Sequence, residues 1–256
     1  MYHGAQTEEE RQPYPNTGLF LKGRLREHLS SDDLAELEKL VSHTETFTDR
    51  ERLVARGDLC DHSQILIEGL VLRCMTENDR RYVVGMHVPG DFVDLHSFPL
   101  KRLDHDIYTI GRTQVGYVPH DKLETLIAKK PSLARVLWFA TLLDAAIHRK
   151  WILMLEQLNA AQRIAHVYCE LRYRLQLIGR EVRHVLRTPL TQQDLAEMCG
   201  VTPVHVNRAV RKLKQEGLAE VRRGDVYTKD WDALCAFAGF TPDYLYAEPP
   251  LQLTSV

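Results

Sequence analysis

Val204, Asn207, Arg208 and Arg211 stand at i, i+3, i+4 and i+7, the spacing that gathers side chains on one face of a helix. Their types suit the edges of DNA bases: Asn pairs with adenine, Arg with guanine, and a small apolar group packs on the thymine methyl. His205, Lys212 and Lys214 flank that face. Val206, Val210 and Leu213 recur at i, i+4 and i+7 on another face and are expected to pack inward, against Leu195, Ala196 and Val201.

A base-reading helix needs elements that hold it, and the surrounding residues supply start, stop and restart signals. Thr191 can cap a helix, with Asp194 three residues on to complement the positive end of its dipole. Gly200 ends that helix, Thr202 caps the next, and Pro203 takes the first helical position, where its missing N–H costs nothing. After the stop at Gly217, Leu218 to Val221 reads as a strand, Arg222-Arg223-Gly224-Asp225 as a turn, and Val226-Tyr227 as a return strand. This is the pattern of a helix-turn-helix followed by a basic wing, whose Arg222 and Arg223 would reach phosphate. A plain three-helix packing unit with a solvated charged face would not require the caps, the small turn residue and the basic hairpin to agree.

The 256 residues are enough for two domains. No apolar run approaches the roughly 18 residues that cross a bilayer, and Glu8-Glu9-Glu10 lacks the order of a signal peptide. A cytoplasmic protein with no membrane partner is expected. Cys60, Cys74, Cys169, Cys199 and Cys235 are scattered without a CxxC, which favours reduced, structural thiols over a disulfide framework or a metal cluster. Net charge is −2, but Arg180 to Asp230 holds ten Lys and Arg against seven Asp and Glu. A locally basic segment of about +3 on a body of about −5 fits DNA binding by one domain.

Ahead of that segment, a loose tail leads into a short helix near Leu29, and Ser31-Asp32-Asp33-Leu34 opens a second that ends near Val41. From about Thr46 to Val118 short apolar runs alternate with turn signals. Ile65 to Leu72 and Tyr82 to Val88 flank a hairpin turn at Glu77-Asn78-Asp79-Arg80, and Pro89-Gly90-Asp91-Phe92, Ile107 to Ile110 and Gln114 to Val118 continue the series. This predicts an all-β barrel or roll. A long helix follows, about Ser132 to Leu158, with apolar residues at Leu133, Leu137, Ala140, Ile147, Trp151, Met154 and Leu158, interrupted at Asp144. Spacing of four and three predicts a parallel dimer seam along Leu137, Ala140, Ile147, Trp151 and Met154, in preference to a helix that merely covers its own β unit. Asn159, with Gln162 three residues on, caps the next helix, so Leu158-Asn159 is a hinge candidate. Trp231 to Phe240 reads as a short apolar helix docked on the reader, with Cys235 as packing.

In this order the chain resembles the cyclic-AMP receptor protein/FNR superfamily of bacterial transcription regulators. The resemblance covers about Phe47 to Tyr227 and rests on Ile67-Glu68-Gly69 with Val71, Pro89-Gly90-Asp91-Phe92, Pro131, Gln162-Arg163-Ile164-Ala165, and Thr191 through Arg208. It implies an α+β fold: residues 1–130 as N-terminal helices and a double-stranded β-roll sensor, 131–158 as a dimerisation helix, and 159–256 as a winged helix-turn-helix. It also implies a homodimer on a pseudo-palindromic double-stranded operator, with RNA polymerase as a further partner. Carried over by position, Thr191, Thr202 and His205 fall where the family contacts phosphate, and Pro203, Val204 and Arg208 where it reads base edges. Gln193, Asn207 and Arg211 complete the expected DNA face with Arg222 and Arg223. Pro203 and Val204 replace an Arg and a Glu of the cyclic-AMP receptor, which implies a different operator.

The sensor departs further. Where the family places a Gly-Glu pair for the ribose and an Arg-Ser or Arg-Thr pair for the cyclic phosphate, this chain reads Phe92-Val93-Asp94-Leu95 and Leu103-Asp104-His105-Asp106. His148 and Arg149 replace the small hydroxyl residues near the adenine. The expected effector pocket therefore holds Asp94, Arg102, Asp104, His148 and Arg149, and cyclic AMP is not its ligand, because an unpaired buried anion is costly. The effector is left open, and no cofactor is assigned. His62, His87, His96, His105, His120 and His148 show no diagnostic metal spacing. A small-molecule module with vestigial DNA binding is the alternative. A hydrolase built on Asp94, His96 and Asp104 lacks any supporting motif, and no catalysis is expected.

Overall fold

The computed structural model describes residues 13–180 and 182–247. Glu8-Glu9-Glu10, the start of the expected tail and residues 248–256 lie outside the described residues. Residues 13–25 wind through turns into a 3-10 turn at Arg26–His28. Helix α1 (Ser31–Leu40) begins where the Ser30 hydroxyl accepts the Asp33 N–H at 3.1 Å. The β unit then runs β1 (His43–Phe47), β2 (Arg52–Val54), β3 (His62–Glu77), β4 (Arg80–His87), a helical turn α2 (Ser97–Leu100) and β5 (Asp106–Pro119). All pairs are antiparallel, in the order β1-β5-β3-β4, with β2 also on β5.

Two long strands make this a roll. The register of β3 against β5 shifts between Leu66 and Glu68 and again between Glu68 and Leu70, and such bulges bend a strand and sharpen its twist. Gly69 sits at the bend with φ +93°, where a Cβ would press on the backbone of Arg112 and Thr113. Asn78 and Asp79 both have positive φ, as a two-residue hairpin turn of the primed type requires. Pro89 to Phe92 does not continue the strand series. It is a turn, joined to β3 by backbone hydrogen bonds to Leu66 and a bridge from Phe92 to Ile65, because Gly90 takes φ +95°, outside the strand region.

Helices α3 (His120–Lys129), α4 (Pro131–Gln157) and α5 (Ala160–Leu177) follow. The break between the last two is at Leu158, which is extended, and the Asn159–Gln162 capping box starts α5. Arg163 braces the break, donating to the Leu158 carbonyl at 2.7 Å and the Cys199 carbonyl at 2.9 Å. The reader comprises β6 (Val185–Leu186), α6 (Gln192–Cys199), α7 (Pro203–Gln215), β7 (Glu220–Arg222), β8 (Asp225–Tyr227) and α8 (Trp231–Ala238). The short β6, not foreseen from sequence, adds a third strand to the wing beside β8. The result is an α+β chain with a β-roll, a long helix and a winged helix-turn-helix.

One apolar cluster runs from Phe20 to Leu245 and joins roll, long helix and reader, while a second, around Leu66, Val71, Leu103 and Ile107, fills the roll. The expected dimer seam belongs to the first. Leu137, Ile147, Trp151 and Met154 are no more than 7 % exposed and pack within their own chain, and Ala140 is half-buried beside them. Of the apolar residues of α4 that remain exposed, Trp138 (65 %), Leu142 (52 %), Ile152 (66 %) and Leu153 (50 %) lie on another face, while Leu155 (38 %) lies outside that strip. The helix is apolar on two faces, and the buried face has the same alternation of four and three as a dimer seam. Asp144, the interruption in that pattern, pairs with Arg73 across the roll.

Candidate nucleic-acid interface

Capping builds the reader from both ends of its turn. At α6 the Thr191 hydroxyl accepts the Asp194 N–H at 3.1 Å, while the Asp194 carboxylate accepts the Thr191 N–H at 2.9 Å. Gly200 closes α6 in the left-handed region (φ +64°), and the Thr202 hydroxyl caps α7 through His205. Val206, Ala209 and Leu213 turn inward. Val210, expected among them, is only half-buried, because Ala209 lies closer to the middle of the buried face.

The opposite face of α7 is open to solvent. Thr202, Pro203, Val204, His205, Asn207, Arg208 and Arg211 are all exposed. Val204, an apolar residue, is 59 % exposed. Arg208 and Arg211 have no ion-pair partner among the described residues. Asn207 donates to the Pro203 carbonyl at 3.2 Å, a weak bond that a base edge can displace. Thr191 and Gln193 are exposed at the start of α6, with Gln193 donating to Glu197 at 2.8 Å. Arg223 lies exposed at the wing tip with φ +52°. Arg222 is less available, since it pairs with Glu220 at 2.5 Å and lies over the Tyr227 ring. Lys214 takes the other Glu220 oxygen at 2.6 Å, and these two cations hold the Glu220 carboxyl down to about 2. The surface thus places all eleven expected DNA-facing residues on or beside one reader, with Glu220 partly neutralising its wing.

Residues 162–237 match the family model for a Crp-like helix-turn-helix domain. The chain is 24% identical over 217 residues to the transcriptional activator protein FnrA of Stutzerimonas stutzeri, covering 84% of this chain and 88% of that one. It is 28% identical over 213 residues to the transcriptional activatory protein AadR of Rhodopseudomonas palustris, covering 81% and 87%. Among solved structures, FixK2 from Bradyrhizobium japonicum superposes with a TM-score of 0.70 at 22% identity, over 77% of this chain and 98% of the other. The chain belongs to the Crp/Fnr superfamily.

The Crp/Fnr-type roll of this chain places none of the five expected effector-pocket residues in the cavity that it forms with α4 and α5. Asp94 is fully buried inside the roll, where it accepts the Gln64 N–H at 2.5 Å, and burial pushes its carboxyl up to about 7. Arg102 is exposed and donates to the Gly57 carbonyl at 2.5 Å. Asp104, with a side chain 80 % exposed, pairs with His105 at 2.7 Å. His148 bonds back to the Asp144 carbonyl at 2.9 Å, and Arg149 lies on the exposed stripe of α4. Sequence positions alone did not reveal that Leu103 is core, 3 % exposed in the second apolar cluster, which carries the neighbouring Arg102 and Asp104 outward.

The cavity between roll, α4 and α5 is lined instead by Arg73, His87, Asp91, His96, Asp144 and Arg174 among apolar side chains, and it holds only about 40 Å³. Arg73, 4 % exposed, donates to the Val93 carbonyl at 2.8 and 2.6 Å and to Asp144 at 2.5 Å. Arg174 spans the Met86 carbonyl at 2.8 Å, Asp91 at 2.5 Å and Glu170 at 3.3 Å. Burial raises the Asp144 and Asp91 carboxyls, but Arg73 and Arg174 outweigh it and leave both below the usual range. Burial, reinforced by Arg73, lowers His87 to about 4, and its Nε2 has no partner among the described residues. Among those residues no three His, Cys, Asp or Glu side chains converge as a metal site. Asp94 lies deep in the roll and Asp104 at its surface, paired with His105.

Proposed function

We propose that this chain is a homodimeric transcription regulator that reads a pseudo-palindromic operator in the cytoplasm, with no catalytic activity. The observation that carries this reading is the outward face of α7, where Val204, Asn207, Arg208 and Arg211 stand free of the fold beside a basic wing tip. RNA polymerase is the further partner, in keeping with the activator names of the relatives. None of the described helices is long and apolar enough to cross a membrane.

The test is selection of bound fragments from random duplex DNA, followed by titration of the selected operator against salt. A reader that displaces counterions loses affinity steeply as salt rises; weak binding without sequence preference at every salt concentration would leave only a vestigial reader. Arg208→Ala should cost about 1–3 kcal/mol, confined to one position of each half-site. If that variant weakens all sequences equally, Arg208 contacts phosphate.

The sensor does not take cyclic AMP. A 40 Å³ cavity has room for a few waters and not for a nucleotide. The Arg73 guanidinium is already committed to Asp144 and Val93. Calorimetric titration with cyclic AMP and cyclic GMP should show no binding at micromolar concentration, and a micromolar Kd for either would refute this reading. With the cavity filled by the chain's own side chains, operator binding proceeds without an effector.

A further inference from the structure

The first helix of the reader touches the roll through charges that capping does not require. Asp194 satisfies the Thr191 cap, yet its side chain is fully buried and also takes Arg50 at 2.7 and 2.9 Å and Arg81 at 3.1 Å. Arg81 donates its Nε to Glu197 at 2.7 Å, and that carboxylate is 8 % exposed. Arg50 precedes β2, Arg81 lies on β4, and both acids lie on α6. We propose that Arg50 and Arg81 are positioning residues for DNA reading, which hold the helix-turn-helix on the roll in one orientation through Asp194 and Glu197.

Orientation follows from the cost of the alternatives. A buried carboxylate with its arginine removed is strongly unfavourable, so any other seating of α6 must re-pair or rehydrate two acids at once. Apolar contact is non-directional and would tolerate sliding, whereas bidentate and shared guanidinium bonds fix both distance and angle. The latch engages α6 through the acid that also caps Thr191 and leaves the outward residues of α7 exposed. In a dimer two recognition helices must meet successive major grooves, about one helical turn of DNA apart. A reader that swings still binds one half-site but loses the second. This inference rests on the proposed dimeric DNA reading, and its test separates the two.

The experiment measures binding to the selected operator and to its isolated half-site, together with hydrogen exchange of the β4 and α6 amides in DNA-free protein. Arg50→Gln combined with Arg81→Gln should lower operator affinity by about tenfold or more while half-site affinity stays within about twofold. Arg81→Glu should act more strongly, and adding Glu197→Arg should restore the ratio of operator to half-site binding. Exchange at β4 and α6 should quicken in Arg81→Glu and slow again in the charge-swapped pair. Equal losses on operator and half-site would assign the arginines to fold stability alone and overturn the proposal, as would an unchanged ratio or exchange that ignores the swap. If the parent selects no operator, the DNA reading fails, and exchange still decides the latch.

Discussion

Ile152→Asp is expected to yield a monomer that has lost the operator. Ile152 is 66 % exposed on α4, and Trp138, Leu142 and Leu153 extend the same strip over four helical turns. Arg149 lies between Leu142 and Ile152 and Glu156 ends the strip, so two apolar stretches are separated and bounded by charge. Large exposed apolar strips mark interaction surfaces, and alternation of four and three suits a second copy of the same helix packed in parallel. An Asp on the axis of such a pair places two unpaired carboxylates together in an apolar seam, at a cost of several kcal/mol and about a hundredfold or more in dimer affinity. Light scattering at micromolar concentration should show a dimer for the parent and a monomer for the variant. A parent that is monomeric sinks the idea, and a dimer untouched by Ile152→Asp moves the interface elsewhere. Ile147→Asp, which the sequence pattern had placed on the seam, is expected to do something different. Ile147 lines the cavity beside Asp144 and is 7 % exposed, so a charge there destabilises the chain itself.

Much of the reader was legible because its signals are local. Thr191, Asp194, Gly200, Thr202 and Pro203 each act on backbone within a few residues, and the structure uses each where its chemistry requires it. The Asn159–Gln162 capping box and the Asn78-Asp79 turn are legible for the same reason. What escaped was set by contacts distant in sequence. Periodicity says that a helix has an apolar face but not what covers it, and α4 carries two such faces. The pairs Arg73 with Asp144 and Arg81 with Glu197 join residues 71 and 116 positions apart, and no spacing rule links them. The five residues matched to the effector pocket do not share one cavity, because matching by position cannot follow a side chain that turns into the roll interior, as Asp94 does.

Asp94 supplies the other large expected effect. Asp94→Asn should raise stability by about 2–4 kcal/mol at pH 8, with the gain shrinking to nothing by about pH 3.5. The carboxyl is fully buried, accepts one backbone N–H from Gln64, and has its Oδ2 unpartnered among the described residues. Burial disfavours the charged form and lifts the group from 3.8 to about 7. The folded chain therefore holds a proton that the unfolded chain releases between about pH 4 and pH 7. Stability from this group is full below the unfolded value, falls as pH rises through that window, and is lowest above pH 7. Asn is neutral at every pH and keeps an oxygen for the Gln64 N–H, so it removes the penalty without removing the bond. His87 and His96, lowered by burial to about 4 and about 3, act in the opposite sense: the folded chain resists protonating them, and stability is lost as pH falls below the usual histidine range. Both are present in parent and variant, so their effect cancels in the difference. Urea unfolding at pH 4, 6 and 8 measures that difference directly, and a gain independent of pH would mean that Asp94 is not held near neutrality. Operator affinity should be unchanged, because Asp94 faces the roll interior and not the cavity beside α4.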